Sequence, residues 1–86
     1  MKIGYAKSFD KAYARHPKGV QEKFKERRNL FLENQFHPLL ENHALNHPYE
    51  GHRSINVTGN YRAIFKMITA DFAYFIKIDT HPNLYR

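Results

Sequence analysis

The stretch HRSINVTGNYRAIFKM, residues 52–67, holds two runs of alternating apolar and polar side chains on either side of Thr58-Gly59-Asn60. Alternation with period two marks a strand with one buried face, and a short Gly/Asn turn between two such runs joins antiparallel neighbours. The hairpin sets strands over about Tyr49 to Val57 and Tyr61 to Met67, and a third, Phe72 to Ile78, follows the turn residues Thr69-Ala70-Asp71. Spacing puts Ile55, Val57, Ala63, Phe65, Tyr74, Ile76 and Ile78 on one face and Ser54, Asn56, Arg62, Lys66 and Lys77 on the other. Ile64 and Phe75 interrupt the polar face, to be covered by the Pro82–Tyr85 tail or by a partner.

Upstream of the hairpin the period changes. Lys2 to Ala6 alternates as a short first strand, and Ser8 stands as an N-cap before a helix in which Phe9, Ala12 and Tyr13 share a face. That helix stops at His16-Pro17, because a residue before proline is driven out of helical geometry. After Lys18-Gly19, residues 20–34 repeat Val20, Phe24, Leu30 and Phe31 on one side and cover the other with Lys, Glu and Arg, so the two segments form a helical hairpin. Residues 35–48 hold neither period and carry prolines at 38 and 48, an ordered linker with room for one helical turn. The order β-α-α-β-β-β predicts an α+β fold in which the helical hairpin covers one face of an antiparallel sheet.

With 86 residues the chain is a single domain, 1–86, of a size that supports one thin core. Apolar residues make up 42% and aromatics 15%, enough to exclude disorder. There is no cysteine, which excludes disulfides, thiolate metal sites and cysteine nucleophiles and fits a reducing compartment. No stretch has the length of a membrane span or the apolar core of a signal peptide, so a cytoplasmic location is expected with no membrane partner. The net charge of +6 favours a polyanionic partner, nucleic acid or an acidic protein. It is spread along the chain, with nine Lys/Arg against five Asp/Glu in residues 1–43 and five against three in residues 44–86.

Arg62, Lys66 and Lys77 on the uncovered sheet face are able to grip phosphate, although a solvated strand face has the same composition. Arg53 flanks them. Lys23 to Arg28, KFKERR, is equally a nucleic-acid patch or the wet side of an amphipathic helix. Six histidines are present, and all four prolines follow one, at His16, His37, His47 and His81, which predicts loop positions for those four. Imidazole exchanges protons near neutrality, as cleavage of a phosphodiester requires. The histidine spacings match no zinc pattern, so neither metal nor cofactor is expected. Gly-rich phosphate loops and nucleophile elbows are absent. Tyr85 either stacks on a base or pins the chain end to the core.

Three motifs together go beyond these generic features: FHPLLENHAL (residues 36–45), the hairpin itself, and FIKIDTHPNLY (residues 75–85). In them the sequence resembles the RelE/ParE superfamily of small bacterial toxins, most closely the RelE/YafQ-type messenger-RNA interferases. The resemblance covers residues 35–86 in detail and the helical hairpin in outline. It implies the toxin of a type II toxin–antitoxin system: a ribosome-dependent endoribonuclease that cleaves mRNA by attack of a ribose 2′-hydroxyl on the adjacent phosphate. Partners implied are a cognate antitoxin, the ribosome with its mRNA, and operator DNA through the antitoxin complex.

The family's functional residues carry over one at a time. His43 and His81 match its histidines, Arg62 the arginine of its Tyr-Arg strand, and Tyr85 its terminal aromatic, which makes these four the catalytic candidates. Lys77 stands where the family has an active-site arginine. With Lys66, Arg53, Asn56 and Asn60 it completes the RNA-binding candidates. His47 and His52 are further histidines close by. Three positions depart from the pattern: Asn56 where a functional histidine is found, Asn60 where aspartate is usual, and Asp79 in place of the glycine before Thr80. An amide hydrogen-bonds but carries no proton at neutral pH. Two alternatives follow, a ParE-like gyrase inhibitor that cleaves nothing, and a weakly active homologue working in a regulatory complex with its antitoxin.

Overall fold

The computed structural model describes residues 1–85. Strand β1 (Lys2–Tyr5) is followed by helices α1 (Lys7–Arg15) and α2 (Lys18–Glu33), a 3-10 turn at Pro38–Leu40, strands β2 (His43–Ala44), β3 (Arg53–Asn56), β4 (Tyr61–Thr69) and β5 (Phe72–Thr80), and a one-turn helix α3 (His81–Leu84). The strands form one sheet in the order β1-β5-β4-β3-β2. All pairs are antiparallel except β1 with β5, which is parallel. The α+β architecture expected from the sequence is the one found.

The core lies between the helical hairpin and the sheet. Phe9, Val20, Phe24 and Phe31 from the helices meet Ile55, Val57, Ala63, Phe65, Ala73, Phe75 and Ile78 from the strands. Phe75 is the hub, with the rings of Phe65, Phe24, Phe31, Phe9 and Tyr5 between 5.1 and 6.2 Å away. At such separations edge-to-face pairs add about 0.5–1.5 kcal/mol each to simple burial.

Phe75 therefore faces the helices, opposite to the side that strict alternation assigns it, and the cause is a bulge. Ile64 pairs with Lys77 but Phe65 pairs with Phe75, so Ile76 is an extra residue in β5. One extra residue flips the parity of every side chain beyond it. Ala73 and Phe75 before the bulge and Ile78 after it all point to the helices, whereas Ile76 joins a smaller cluster of Tyr49, Ile64, Leu45 and Leu84 on the opposite face. Tyr74 lies outside the helix-side core for the same reason. Ile64 is covered by the tail, through Leu84, as the sequence predicts.

Several boundaries also move. Helix α1 begins at Lys7 with Ala6 as its cap, and the Ser8 hydroxyl donates instead to the Ile76 carbonyl at 2.8 Å. Strand β3 starts at Arg53 rather than Tyr49, because residues 46–52 turn twice, through Tyr49 N–H to Asn46 O and His52 N–H to Tyr49 O, with Gly51 at φ +79°. The linker contains its helical turn, and also β2, a two-residue strand that no pattern of period two is long enough to announce. His81 opens α3 instead of lying in a loop: the Thr80 hydroxyl accepts from Asn83 N–H and Pro82 occupies the first turn, where its missing N–H costs nothing.

Candidate active site

The sheet face turned away from the helices carries a polar cleft of about 280 Å³ lined by Glu41, His43, Ser54, Asn56, Arg62, His81 and Tyr85. Strand register assembles it. His43 of β2 stands opposite Ser54 of β3, and Asn56 of β3 opposite Arg62 of β4, so these side chains project on one side of three adjacent strands. The far wall is α3, which supplies His81 and Tyr85. Its position is fixed from beneath, where Leu84 is buried against Tyr49 and Ile64 while the Tyr49 hydroxyl donates to the Leu84 carbonyl at 2.8 Å. The His81 backbone N–H donates to Asn60 O at 2.9 Å, which ties α3 to the β3–β4 turn.

The surroundings of each group set what it can do. His43 Nδ1 lies 2.7 Å from the main-chain carbonyl of Glu41. A carbonyl only accepts, so Nδ1 carries the proton, and the neutral ring keeps its lone pair on Nε2. Arg62 commits one nitrogen, Nη1, to the turn carbonyls of Thr58, Gly59 and Tyr61 at 3.2–3.3 Å. Nε and Nη2 remain as a fork of donors for an anionic oxygen. The His81 and Tyr85 rings lie 4.9 Å apart, and Tyr49 meets Tyr85 edge-on at 5.7 Å. Burial raises the Tyr85 phenol above its ordinary value; Tyr49 adds to the rise, and the Arg62 charge opposes it. Asp79 spends its carboxylate on Thr80 N–H at 2.7 Å and Asn83 Nδ2 at 3.1 Å, holding α3 rather than the His81 ring.

Five of the nine residues singled out from the sequence thus meet in one cleft: His43, Asn56, Arg62, His81 and Tyr85. Asn60 touches it only through its carbonyl. Arg53 points elsewhere, with Nε on Asn42 Oδ1 at 2.7 Å and its guanidinium over the Phe36 ring. The Lys77 ammonium sits 5.6 Å from the Tyr49 ring centroid, behind the tail, and Lys66 is exposed farther along β4. Two lining residues lack a sequence signal, Ser54, which is 2% exposed, and Glu41. Glu41 has φ +47°, uncommon for a residue with a side chain, and its carboxylate accepts a hydrogen bond from Asn56 Nδ2. Among the described residues no three His, Asp or Glu side chains are grouped so as to hold a metal ion. No described helix is long and apolar enough to cross a membrane.

No protein-family model matches the sequence, and no curated protein matches it. Solved structures do. YafQ from E. coli strain BL21(DE3) superposes with a TM-score of 0.77 at 24% identity over 99% of this chain and 98% of that one. A YoeB/ParE toxin from Agrobacterium tumefaciens gives 0.76 at 19% identity over 94% and 99%. The E. coli DinJ–YafQ toxin–antitoxin complex gives 0.75 at 24% identity over 99% and 97%. Identity at this level carries the architecture, and the chain has the fold of the YafQ and YoeB/ParE toxins.

Proposed function

We propose that this protein is the toxin of a toxin–antitoxin pair and an endoribonuclease that cleaves mRNA on the ribosome without a metal ion. The observation that carries the reading is the convergence of two imidazoles, a guanidinium and a phenol in one polar cleft. Transesterification of RNA calls for a base, an acid and a cation, and the cleft holds a candidate for each. His43 Nε2 takes the proton of a ribose 2′-hydroxyl as its oxygen attacks the adjacent phosphorus. The P–O5′ bond breaks, and His81 in its imidazolium form gives a proton to the departing 5′ oxygen. The products are a 2′,3′-cyclic phosphate and a 5′-hydroxyl end. Arg62 meets the charge that builds on the phosphoryl oxygens, and Tyr85, kept as a phenol, donates beside His81. The antitoxin is expected to be acidic where it meets this chain of net charge +6.

The test is cleavage of a message programmed into ribosomes, with the same RNA free of ribosomes as control. Cleavage is expected only on ribosomes, and to fall by about 100-fold or more in His81→Ala and Arg62→Ala. Full activity in both variants overturns the assignment of the cleft. Inhibition of gyrase supercoiling with no RNA cut points to the ParE-like alternative.

A further inference from the structure

Among the described residues Glu41 is the one carboxylate lining the cleft, and both of its polar ends are engaged with cleft residues. Its main-chain carbonyl receives His43 Nδ1–H at 2.7 Å, and its carboxylate receives Asn56 Nδ2–H. The residue ends the 3-10 turn Pro38–Leu40 in the left-handed region, φ 47° and ψ 47°. For a residue with a β-carbon that conformation is unfavourable, and such outliers gather where local geometry serves a site. A carboxylate that only accepts also fixes which way the Asn56 amide faces. With Nδ2 on Glu41, the other hydrogen-bonding atom of this cleft-lining amide is the acceptor Oδ1.

We propose that Glu41 is a positioning residue of the RNA-cleaving site: through its carbonyl it holds the lone pair of His43 on Nε2, and through its carboxylate it turns Asn56 Oδ1 into the cleft. The two acceptors so presented match the one donor that distinguishes a ribose from a deoxyribose, its 2′-hydroxyl. Asn56 Oδ1 accepts from that hydroxyl in the ground state and orients it, and His43 Nε2 removes its proton as attack proceeds. Glu41 itself keeps its charge throughout and exchanges no proton with the substrate. The proposal rests on the ribonuclease reading of the cleft, so its test needs a readout that does not depend on cleavage.

That readout is the side-chain nitrogen spectrum of His43 and Asn56, recorded beside ribosomal cleavage rates for wild type, Glu41→Gln, Glu41→Ala, Asn56→Ala and the Glu41→Ala/Asn56→Ala pair. Thermal melting confirms that each variant is folded. Glu41→Ala is expected to shift the Asn56 amide signals and to lower kcat about tenfold or more, the scale of a misplaced group. Glu41→Gln, whose amide oxygen still accepts, restores most of the rate. The pair falls no further than Asn56→Ala alone, because each change breaks the same contact. In every variant His43 keeps its Nδ1–H tautomer, since the carbonyl at position 41 remains. Unchanged Asn56 signals in Glu41→Ala overturn the proposal whether or not RNA is cut, as does wild-type kcat in a folded Glu41→Ala or a pair whose losses add. If wild type cleaves nothing while Glu41→Ala still moves the Asn56 signals, the ribonuclease reading falls and takes the catalytic role of Glu41 with it.

Discussion

At Tyr85 burial and two neighbours act on one proton. Burial and Tyr49 both oppose the phenolate, while Arg62 favours it, and the balance lies on the side of the phenol. A native state that prefers the protonated form gains stability that is fully present below the phenol's unfolded value, about 10, and is lost as pH rises through the raised native one. Through neutral pH the group therefore stays a donor. Followed by the carbon signal next to its hydroxyl, Tyr85 is expected to titrate above free tyrosine, and Arg62→Ala to move it higher still. A midpoint at or below the free value in wild type contradicts this balance. The residues of the cleft were unevenly legible. His43, Arg62, His81 and Tyr85 stand in motifs dense enough to be recognised, and the structure brings them together. Glu41 lies in a proline-bounded linker with no period, and its part depends on a backbone angle that nothing in its neighbours' identities encodes. Arg53 was drawn towards the cleft by charge and Lys77 by charge together with its match to a family arginine, and their side chains settle on the Phe36 and Tyr49 rings instead.

Among the elements, α3 shows how little chain can build a wall of the cleft. Four residues are too few to be helical by themselves. The Thr80 cap, Pro82 and the buried Leu84 hold the turn in place. Tyr49 completes the arrangement by donating to the Leu84 carbonyl from within the smaller cluster. Tyr49→Phe keeps the ring and removes the donor, leaving that carbonyl with one partner fewer. A loss of about 1 kcal/mol in denaturant unfolding is expected, with faster amide exchange confined to residues 81–85. Equal exchange in both proteins indicates that α3 is held by Leu84 alone. The Thr-x-Pro signature of this turn was available in the sequence, at Thr80 and Pro82, and outweighs the loop assignment suggested by a histidine before proline. The β5 bulge was not available in that way. Phe75, Ile76 and Lys77 fit either register equally well in one dimension, and the choice is made by the helix side of the sheet, where Phe9, Phe24 and Phe31 of the helices and Phe65 of β4 form a nest for Phe75.

For the molecule as a whole, stability is concentrated in that nest. Phe75→Ala removes the ring shared by both helices and by β4, and truncations of this kind cost about 3–5 kcal/mol. Domains of this size have roughly 5–15 kcal/mol in total. Calorimetry is therefore expected to show a melting temperature lowered by ten degrees or more, on the order of 4–8 degrees per kcal/mol. A shift of only a degree or two means that the hairpin and sheet repack without it. Layering, helix pairing and strand order along the chain were legible because each depends on periodicity. The parallel partnership of β1 with β5 was not, because it joins the two ends of the sequence.

That partnership bears on when the protein can come into being during its own synthesis. Among the described residues strand β1, residues 2–5, pairs with β5 alone, residues 72–80. A nascent chain makes the helical hairpin early and must hold its apolar faces unsatisfied until the final strand emerges. His81 and Tyr85 come later still, behind β5 in the order of translation. No fragment released early carries a finished cleft.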